Sequence, residues 1–489
     1  MELTNGKRFF LNIFSAVLII YGLTALPCVI VAGYLGESEA VTPLAIVYFA
    51  CTFAGIIIGR SSELPSHKVH QRVNYFTTVM CWLILIALTT VVYYCARAEF
   101  TWADSIFEAT AALTTTGTGN LSVNVYPYSM QLWRSLLNWI GGVGIILISV
   151  SCLSKWNFNG HSLVSIELPG PEFLKESIAF RKNCIRIILI YAALTAADFV
   201  LLCLAGMPAF TSLLTALSNI STAGLQHLEN GVITGLPVLQ KVIITIFAFL
   251  GSLNAVFFIL IITRKGSAAS RQTEVLEYTI RVLVTSVFIC IVLTAAGYHH
   301  VLHSFGEALM QTISCLSTSG YTVSDCAGWP LICKMIILIQ MFIGACAVST
   351  SGGIKTSRIK IGYKTVGYGL FRQIHPDAVK PVRFNGSALS SDQLRRANMY
   401  IWVFMFIYIL SALFLSLDNK NESILDALNY SQAMITNTGT SIGSLGDAGL
   451  ATGFSPFSKL VMSFEMLCGR LEIYPVLMLF SRSFWKSEK

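Results

Sequence analysis

The chain has 489 residues and a net charge of +8, with 54% hydrophobic and only 12% charged residues, whereas soluble domains carry about 25% charged residues. So few charges cannot cover a water-exposed body of this size, and the same figures exclude intrinsic disorder, collagen-like sequence and secreted disulfide scaffolds. The apolar runs are continuous rather than alternating, which excludes a transmembrane β-barrel. The composition therefore predicts an all-α polytopic membrane protein.

Ten stretches are long and apolar enough to cross a bilayer, which takes about 20 residues. They are predicted over residues 9–33, 43–60, 73–96, 131–154, 184–206, 237–263, 279–298, 331–354, 397–417 and 457–481.

The links between these stretches alternate in charge. Lysine and arginine concentrate in links 60–72, 155–183, 264–278 and 355–396, and the opposite links are nearly free of them. Because cytoplasmic links collect Lys and Arg, this pattern predicts that both termini are cytoplasmic. The link 355–396 begins with interleaved bases and apolar residues, which favours an amphipathic helix along the inner membrane surface. A dedicated docking site for a partner remains the alternative.

Four links on the extracellular side share a pattern that ends in glycine. The four glycines are Gly117, Gly224, Gly320 and Gly439, and a hydroxyl residue stands three positions before each of them: Thr114, Ser221, Ser317 and Thr436. Thirteen positions before each glycine we expect a residue that starts a helix, because Asp and Thr are good N-caps and acids favour helix N-termini. These residues are Asp104, Thr211, Glu307 and Asp426.

A helix from each of these starts to the hydroxyl residues has about ten residues, or roughly 15 Å, which is too short to span the membrane. A short helix followed by glycine-containing backbone predicts a re-entrant loop, and four such loops around one axis predict a pore. Backbone carbonyls there would replace the water shell of a cation. The predicted filter residues are Thr115, Thr116, Gly117, Thr222, Ala223, Gly224, Thr318, Ser319, Gly320, Asn437, Thr438 and Gly439.

The predicted organisation is two N-terminal helices followed by four pore repeats around a pseudo-fourfold axis. The segments are 1–72 for the N-terminal helices, 73–155, 184–264 and 279–354 for repeats 1 to 3, 355–396 for the amphipathic linker and 397–482 for repeat 4.

Over nearly its whole length the chain resembles the Trk/Ktr/HKT superfamily of potassium transporters, specifically the TrkH-type membrane subunit. The resemblance rests on the four loops, on the glycine-rich run from Gly344 to Lys355, and on Gly469-Arg470-Leu471-Glu472. In that family, glycine at the first filter position of all four repeats accompanies potassium permeation, whereas serine in the first repeat accompanies sodium selectivity in plant relatives. Gly117 therefore implies the potassium group.

The resemblance also implies a gate. The run 344–353 would form a flexible intramembrane loop under the filter, held by Arg470; the alternative is that Arg470 forms a helix-packing ion pair. The implied gating residues are Gly344, Ser349, Thr350, Ser351, Gly352, Gly353 and Arg470.

Further implications of the resemblance concern cargo, partners and location. K⁺ would be the transported ion, and no organic cofactor is expected, since the chain has no GxGxxG or Walker loop. We expect a homodimer on a cytoplasmic nucleotide-binding ring of the TrkA/KtrA type, surrounded by lipid in the cytoplasmic (inner) membrane of a prokaryote, with no nucleic-acid partner.

Two other functions stay open. A Na⁺- or H⁺-coupled symporter of another cation or solute would commonly have inverted repeats, whereas these four copies are parallel. A membrane-embedded enzyme would need a nucleophile, an acid/base pair or a metal motif, and the sequence contains no HExxH, no ExxH and no convergent acidic cluster.

Three smaller features have simple interpretations. The histidines at 299, 300 and 303 are expected to be solvated or structural rather than metal ligands. Lys459 is expected to extend its amine to the membrane interface. A disulfide between Cys326 and Cys333 stays an open alternative to two free thiols.

Overall fold

A computed structural model describes residues 2–62, 71–96, 99–119, 126–144, 177–225, 227–228, 232–263, 272–298, 300–323, 326–375, 381–384, 387–418, 423–440, 451 and 453–485. This part of the chain is almost entirely helical, which confirms the predicted all-α polytopic class. The two-residue strands Arg383–Phe384 and Ser387–Ala388 pair antiparallel in the link before the fourth repeat.

The chain begins with two long helices, Glu2–Leu35 and Ser38–Ser61, which pack side by side. Each following repeat has a first helix, a short pore helix and a second helix. In repeat 1 these are Gln71–Ala96, Trp102–Leu113 and Tyr128–Val143, and in repeat 2 they are Ser177–Leu204, Ala209–Ile220 and Val238–Ser252 with Ala255–Ile262. In repeat 3 they are Thr273–Ala295, Val301–Leu316 and Leu331–Ile343. In repeat 4 they are Ser391–Leu415, Ile424–Ile435 and Pro456–Arg470 with Tyr474–Phe480. The C-terminal turn Arg482–Trp485 follows the last of them.

The four repeats pack in a closed cycle. The second helix of repeat 1 packs against the pore helix of repeat 2, and the same relation joins repeat 2 to 3, repeat 3 to 4, and repeat 4 back to 1. The pore helices of all four repeats therefore surround one axis. The N-terminal pair packs outside this cycle, where Tyr21 contacts Trp133 of repeat 1 edge-on, with ring centroids 5.4 Å apart.

The second helices of repeats 2 and 4 are interrupted, which differs from the single spans predicted over 237–263 and 457–481. In repeat 3 the second helix ends at Ile343, where the implied loop 344–353 begins within the predicted span 331–354. In repeat 2 the two halves meet at 90°, and in repeat 4 the residues Glu472 and Ile473 between the halves have positive φ. The second helices of repeats 1 and 3 end at Gly144 and Gly344, whose φ values of 81° and 65° suit glycine. Residues 145–154 of the span predicted over 131–154 lie outside the described residues.

The pore helices begin earlier than predicted. Thr101 and Ser423 are the N-caps of the first and fourth pore helices, and Asp104 and Asp426 complete capping boxes three residues later. The prediction that Asp104, Thr211, Glu307 and Asp426 start the helices is therefore wrong. Pro208 and His300 precede the other two pore helices, and Glu307 lies in the second turn of a helix of 16 residues.

The outer surface suits a lipid environment. Large apolar side chains are exposed on the first helices and on the N-terminal pair, among them Phe49, Leu189, Ile291 and Phe406. Six helices in the described part of the chain are long and apolar enough to cross a membrane, or seven if the bent pair of repeat 2 is one span.

The linker contains the helix Thr356–Ile374, hereafter the linker helix, which packs against the first helices of repeats 3 and 4. Lys360 pairs with Glu277 at 2.6 Å, and Arg358 pairs with Glu472 and lies over the Tyr400 ring. Its apolar residues Tyr363, Val366, Leu370 and Ile374 are exposed.

Candidate functional site

The four glycine loops have the same backbone conformation. Two positions before each glycine, the residue has φ between 54° and 59°, and the glycine itself has φ between 67° and 79°. The first of these positions holds Thr115, Thr222, Thr318 and Asn437. Positive φ is common for Asn but is a real outlier for β-branched Thr. The same outlier at three related places indicates a conformation that the surrounding structure imposes.

The small residues six positions before each glycine accept the backbone hydrogen bonds that end the pore helices. The carbonyls of these residues accept from the N–H groups one position before the glycines, at 3.0–3.1 Å, and thereby end the pore helices; they belong to Ala111, Ser218, Ser314 and Ala433. The hydroxyl three positions before the glycine contacts the hydroxyl one position before it, as in Thr114 and Thr116 at 2.8 Å. The second repeat has Ala223 there and lacks this contact, but Ser221 still bonds a preceding carbonyl, that of Ser218 at 2.9 Å, as its counterparts in the other repeats also do.

The four glycines and the residues before them form a closed ring. A Cβ atom on Gly117 would meet the Ala223 carbonyl oxygen, and one on Gly224 would lie 2.9 Å from the Ser319 carbonyl oxygen. Likewise, Gly320 faces the carbonyl of Thr438, and Gly439 faces that of Thr116. Each repeat therefore presents a carbonyl to the glycine of the repeat before it, and no side chain fits at any of the four positions. All twelve predicted filter residues are buried in this ring.

Three further glycines lie against the C-terminal ends of pore helices. A Cβ on Gly251 would lie 2.9 Å from the Ile220 carbonyl oxygen, and Gly141 and Gly469 face the carbonyls of Leu113 and Ile435 in the same way. These carbonyls stand four positions before the filter glycines. The glycines let the second helix of a repeat touch the end of its own pore helix. This is the close helix packing that glycine commonly allows in spans.

Buried ion pairs brace the first repeat. Glu108 of its pore helix pairs with Arg134 at 2.9 Å, and Arg134 also donates to the Thr118 carbonyl. Lys459 of repeat 4 pairs with Asp104 of repeat 1 and is only 8% exposed. The prediction that the Lys459 amine extends to the membrane interface is therefore wrong, because this amine joins the last repeat to the first.

Residues 344–355, hereafter the loop, follow the broken second helix of repeat 3. The two ends of the loop are tied together: Ile354 donates its N–H to the Phe342 carbonyl at 3.0 Å, and Thr356 donates to the Ala345 carbonyl at 2.9 Å. Gly344 and Gly353 meet in this neck, where the Cβ of a side chain at position 353 would lie 3.1 Å from Gly344 Cα. The predicted interruption at 344–353 is thus a compact turn with a defined neck and tip.

The tip of the loop lies directly against the filter. Thr350 Oγ1 is 3.2 Å from the Ile220 carbonyl oxygen and accepts from Thr222 Oγ1 at 3.3 Å. Gly352 donates its N–H to Thr318 Oγ1 at 2.8 Å, and a Cβ there would meet the Thr436 carbonyl. The loop therefore contacts Thr222 and Thr318, two positions before the glycines of repeats 2 and 3, and the Thr436 carbonyl, three positions before the glycine of repeat 4. The hydroxyls of Ser349 and Ser351 bond each other, at 2.9 Å.

Arg470 joins the loop to the first repeat. Its Nη1 donates to the Thr350 carbonyl at 2.9 Å, and its Nη2 donates to the carbonyls of Gly141 and of Gly142, the latter at 2.8 Å. The acid near it in sequence, Glu472, pairs with Arg358 of the linker helix instead. The alternative of a helix-packing ion pair for Arg470 thus has no support from Glu472.

Sequence reasoning missed one residue at this site. The carboxylate of Glu274, in the first helix of repeat 3, is buried and contacts the loop, although it lies outside the span predicted over 279–298. The Glu108–Arg134 pair was also missed, and here the signal was present: a charged residue inside the span predicted over 131–154.

The smaller predictions have mixed outcomes. Cys326 and Cys333 are both buried, and no disulfide joins them in this structure. His303 lies 3.8 Å from Glu307 and is mostly exposed. His299 lies outside the described residues.

Comparisons with known proteins cover nearly the whole chain. The family model TrkH, described as cation transport protein, matches residues 45–487. The Trk system potassium uptake protein TrkH of Salmonella typhimurium is 28% identical, over 97% of each chain. The Trk system potassium uptake protein TrkG of Escherichia coli (strain K12) is 28% identical over 96% of each chain. The crystal structure of the potassium transporter TrkH from Vibrio parahaemolyticus superposes with a TM-score of 0.85 at 24% identity, covering 98% of this chain and 99% of that one.

Proposed function

Because this chain belongs to the TrkH family of cation transport proteins, we propose that it carries potassium into the cell through one pore per chain. The observation that supports this proposal most is the closed ring, in which each of four buried glycines faces a carbonyl of the next repeat. Relatives named as potassium uptake proteins match it over nearly its full length.

The chemistry of the ring suits a monovalent cation. Backbone carbonyls replace the hydration shell of K⁺ without adding a full negative charge, and the pore helices direct their negative C-terminal ends toward the same region. The acid of the first pore helix, Glu108, is neutralised by Arg134 rather than facing the ring. The twelve predicted filter residues would supply these oxygens, with K⁺ as the transported substrate.

The loop under the filter would act as the gate. It contacts the predicted filter residues Thr222 and Thr318 through Thr350 and Gly352, so an ion leaving the filter on that side would meet it. Arg470 would hold the closed position through the Thr350 carbonyl. Displacement of the loop tip would then open the path while the filter keeps its shape.

The family resemblance supplies the rest of the proposal. The chain would function as a homodimer in the inner membrane of a prokaryote, with both termini in the cytoplasm. A separate nucleotide-binding ring on the cytoplasmic side would control the loop. The relatives that the chain matches are transporters, and no catalytic role is proposed.

Complementation of a potassium-uptake-deficient bacterium tests the function as a whole. Expression of the full chain, with and without a co-expressed Trk-type regulator, should restore growth at limiting potassium, and the regulator should increase the growth rate. A chain that inserts normally but fails to restore growth in either condition, and that carries no K⁺ in liposomes, would reject the proposal.

A further inference from the structure

A single buried carboxylate lies where the loop and the linker helix meet. Glu274 Oε1 accepts from the Ala347 N–H at 2.7 Å and from the Ser357 N–H at 3.2 Å, and Oε2 accepts from Asn254 Nδ2 at 3.1 Å. Ala347 belongs to the loop, Ser357 to the first turn of the linker helix, and Asn254 to the break in the second helix of repeat 2. Glu274 is 1% exposed, so three N–H donors take the place of water around its carboxylate.

The linker helix depends on this carboxylate at its N-terminus. Its N-cap residue, Lys355, makes no side-chain capping bond. A helix start leaves unpaired N–H groups and favours a negative charge. Glu274 supplies both an acceptor and a charge there, from a different helix. The first turn of the linker helix is therefore stabilised by the same side chain that holds Ala347.

The bond to Ala347 fixes the loop close to its tip. Val348, the next residue, has a positive φ of 58° and gives its carbonyl to the N–H of Ala255 at 3.1 Å. Thr350, which touches the filter, is two residues further on. A shift of the linker helix that withdraws Ser357 from Glu274 would thus disturb a network only three residues from the filter contact.

From this geometry we propose that Glu274 is a latch that couples the position of the linker helix to the loop beneath the filter. This rests on the proposed function, since it names the residue through which a cytoplasmic force on the linker helix releases the gate. Glu274 is a positioning residue, because it acts on the ion path only through Ala347. Arg470 holds the tip at the Thr350 carbonyl, from the side of the first repeat, and Glu274 holds Ala347, between the neck and the tip, from the side of the linker helix.

The matched pair Glu274→Gln and Glu277→Gln tests the latch. Both acids lie on the first helix of repeat 3 and contact the linker helix, but the described partners of Glu277, Lys360 and Arg281, lie outside the loop. In liposomes containing the purified full chain, Glu274→Gln should raise K⁺ flux per folded molecule by at least about fivefold, because hydrogen bonds to a charged group are weakened. Glu277→Gln should leave the flux within about twofold of wild type, and neither variant should change the K⁺/Na⁺ flux ratio.

A second variant covers the case in which Glu274→Gln does not fold. Asn254→Ala removes one of the three donors and leaves the carboxylate in place, and it should raise flux by a smaller factor. Unchanged flux in folded Glu274→Gln, or an equal rise in Glu277→Gln, would overturn the latch. Loss of folded protein in both Glu274→Gln and Asn254→Ala, with normal yield of Glu277→Gln, would assign Glu274 to folding and also overturn it.

The wild-type chain decides the proposed function separately. Liposomes that contain the wild-type chain must take up K⁺ faster than protein-free liposomes, independently of the flux measured for the variants. Wild-type flux together with an unresponsive Glu274→Gln variant would reject the latch and leave the potassium pore standing.

Discussion

Thr115, Thr222 and Thr318 hold φ values of 54–59°, in a region where a β-branched residue costs about 1–3 kcal/mol. Such strain persists only where the surroundings determine it. Here backbone bonds from the next residue to the pore-helix end, present in all four repeats, fix this conformation, and the loop bonds only the side-chain hydroxyls of Thr222 and Thr318. In the fourth repeat Asn437 takes the conformation with less strain and is held by bonds to Thr116 Oγ1 and the Met466 carbonyl, both 2.9 Å.

Arg470→Ala tests the gate at the level of one side chain. The substitution removes the donor to the Thr350 carbonyl, and a charge-assisted hydrogen bond is worth about 1.5–3 kcal/mol. The open state should gain population, so K⁺ flux per folded molecule in liposomes should rise by roughly 10- to 150-fold.

The control for this prediction is Arg395→Ala, which removes an exposed arginine paired only with Asp392 in the described structure. It should leave flux at the wild-type level. If Arg470 merely packs the helix bundle, its substitution will lower the yield of folded protein and leave flux per folded molecule the same or reduced.

At this scale the sequence alone predicts the filter positions, since Thr115 and its counterparts recur at one offset from a glycine. It does not predict the partner of a charge. Asp104 is a helix-start residue by type, yet it pairs with Lys459, 355 residues away. Glu274 is equally unremarkable as a residue type, because its role arises only when Ala347, Ser357 and Asn254 meet around it.

Among the elements, the second helices differ most from their sequence prediction. Hydropathy predicts one apolar span where Val238–Ser252 and Ala255–Ile262 form two helices, because both halves are apolar on average and the polar Asn254 at the break is a single position. The local signals of such a break are weak. Asn254 caps the second half by accepting from the Val256 N–H at 3.0 Å, and single glycines, Gly144 and Gly344, follow the second helices of repeats 1 and 3. A window of about 20 residues averages over such single-residue breaks.

Deletion of Val348 to Gly352 tests the loop as an element. The neck is closed by bonds outside the deleted residues, from Ile354 to Phe342 and from Thr356 to Ala345, so the shortened chain retains these ties. Without the Thr350 and Gly352 contacts to the filter, K⁺ flux should rise at least about tenfold. The K⁺/Na⁺ flux ratio should stay at the wild-type value, since the filter lies outside the deletion.

The control is again Arg395→Ala, which removes an exposed arginine of the repeat 4 first helix and leaves the loop intact, so its flux should resemble wild type. Reduced flux in the deletion variant, measured on folded protein, would count against the loop as a gate.

At the scale of the whole molecule, four unequal repeats build one ring. The interval between filter glycines differs from repeat to repeat, and the second repeat has Ala223 where the others have a hydroxyl. The closed cycle of second helix on next pore helix absorbs these differences because it depends on the short helices and not on the links. The sequence predicts the cycle because the four loops repeat one pattern. Contacts such as Lys459 with Asp104 cannot be predicted in this way, because they form only where the fourth repeat meets the first.

The proposed orientation predicts which face each helix end presents. In a background lacking the native cysteines, Ser391→Cys, exposed at the start of the repeat 4 first helix, should be protected from an impermeant thiol reagent added outside intact cells. Ala296→Cys, exposed after the repeat 3 first helix, should be labelled. The opposite labelling pattern would show that the chain has the opposite orientation in the membrane.

The central claim is that four loops form one selectivity filter, and the K⁺/Na⁺ flux ratio of four serine variants tests it most directly. Gly117→Ser, Gly224→Ser, Gly320→Ser and Gly439→Ser each place a side chain against a carbonyl of the next repeat. If each costs about 1 kcal/mol of discrimination, comparable to one neutral hydrogen bond, every ratio should fall about fivefold. Gly235→Ser, where a Cβ meets open space, should keep the wild-type ratio. A wild-type ratio in any folded variant of the four, or an equal fall in Gly235→Ser, would contradict a single filter built from all four repeats.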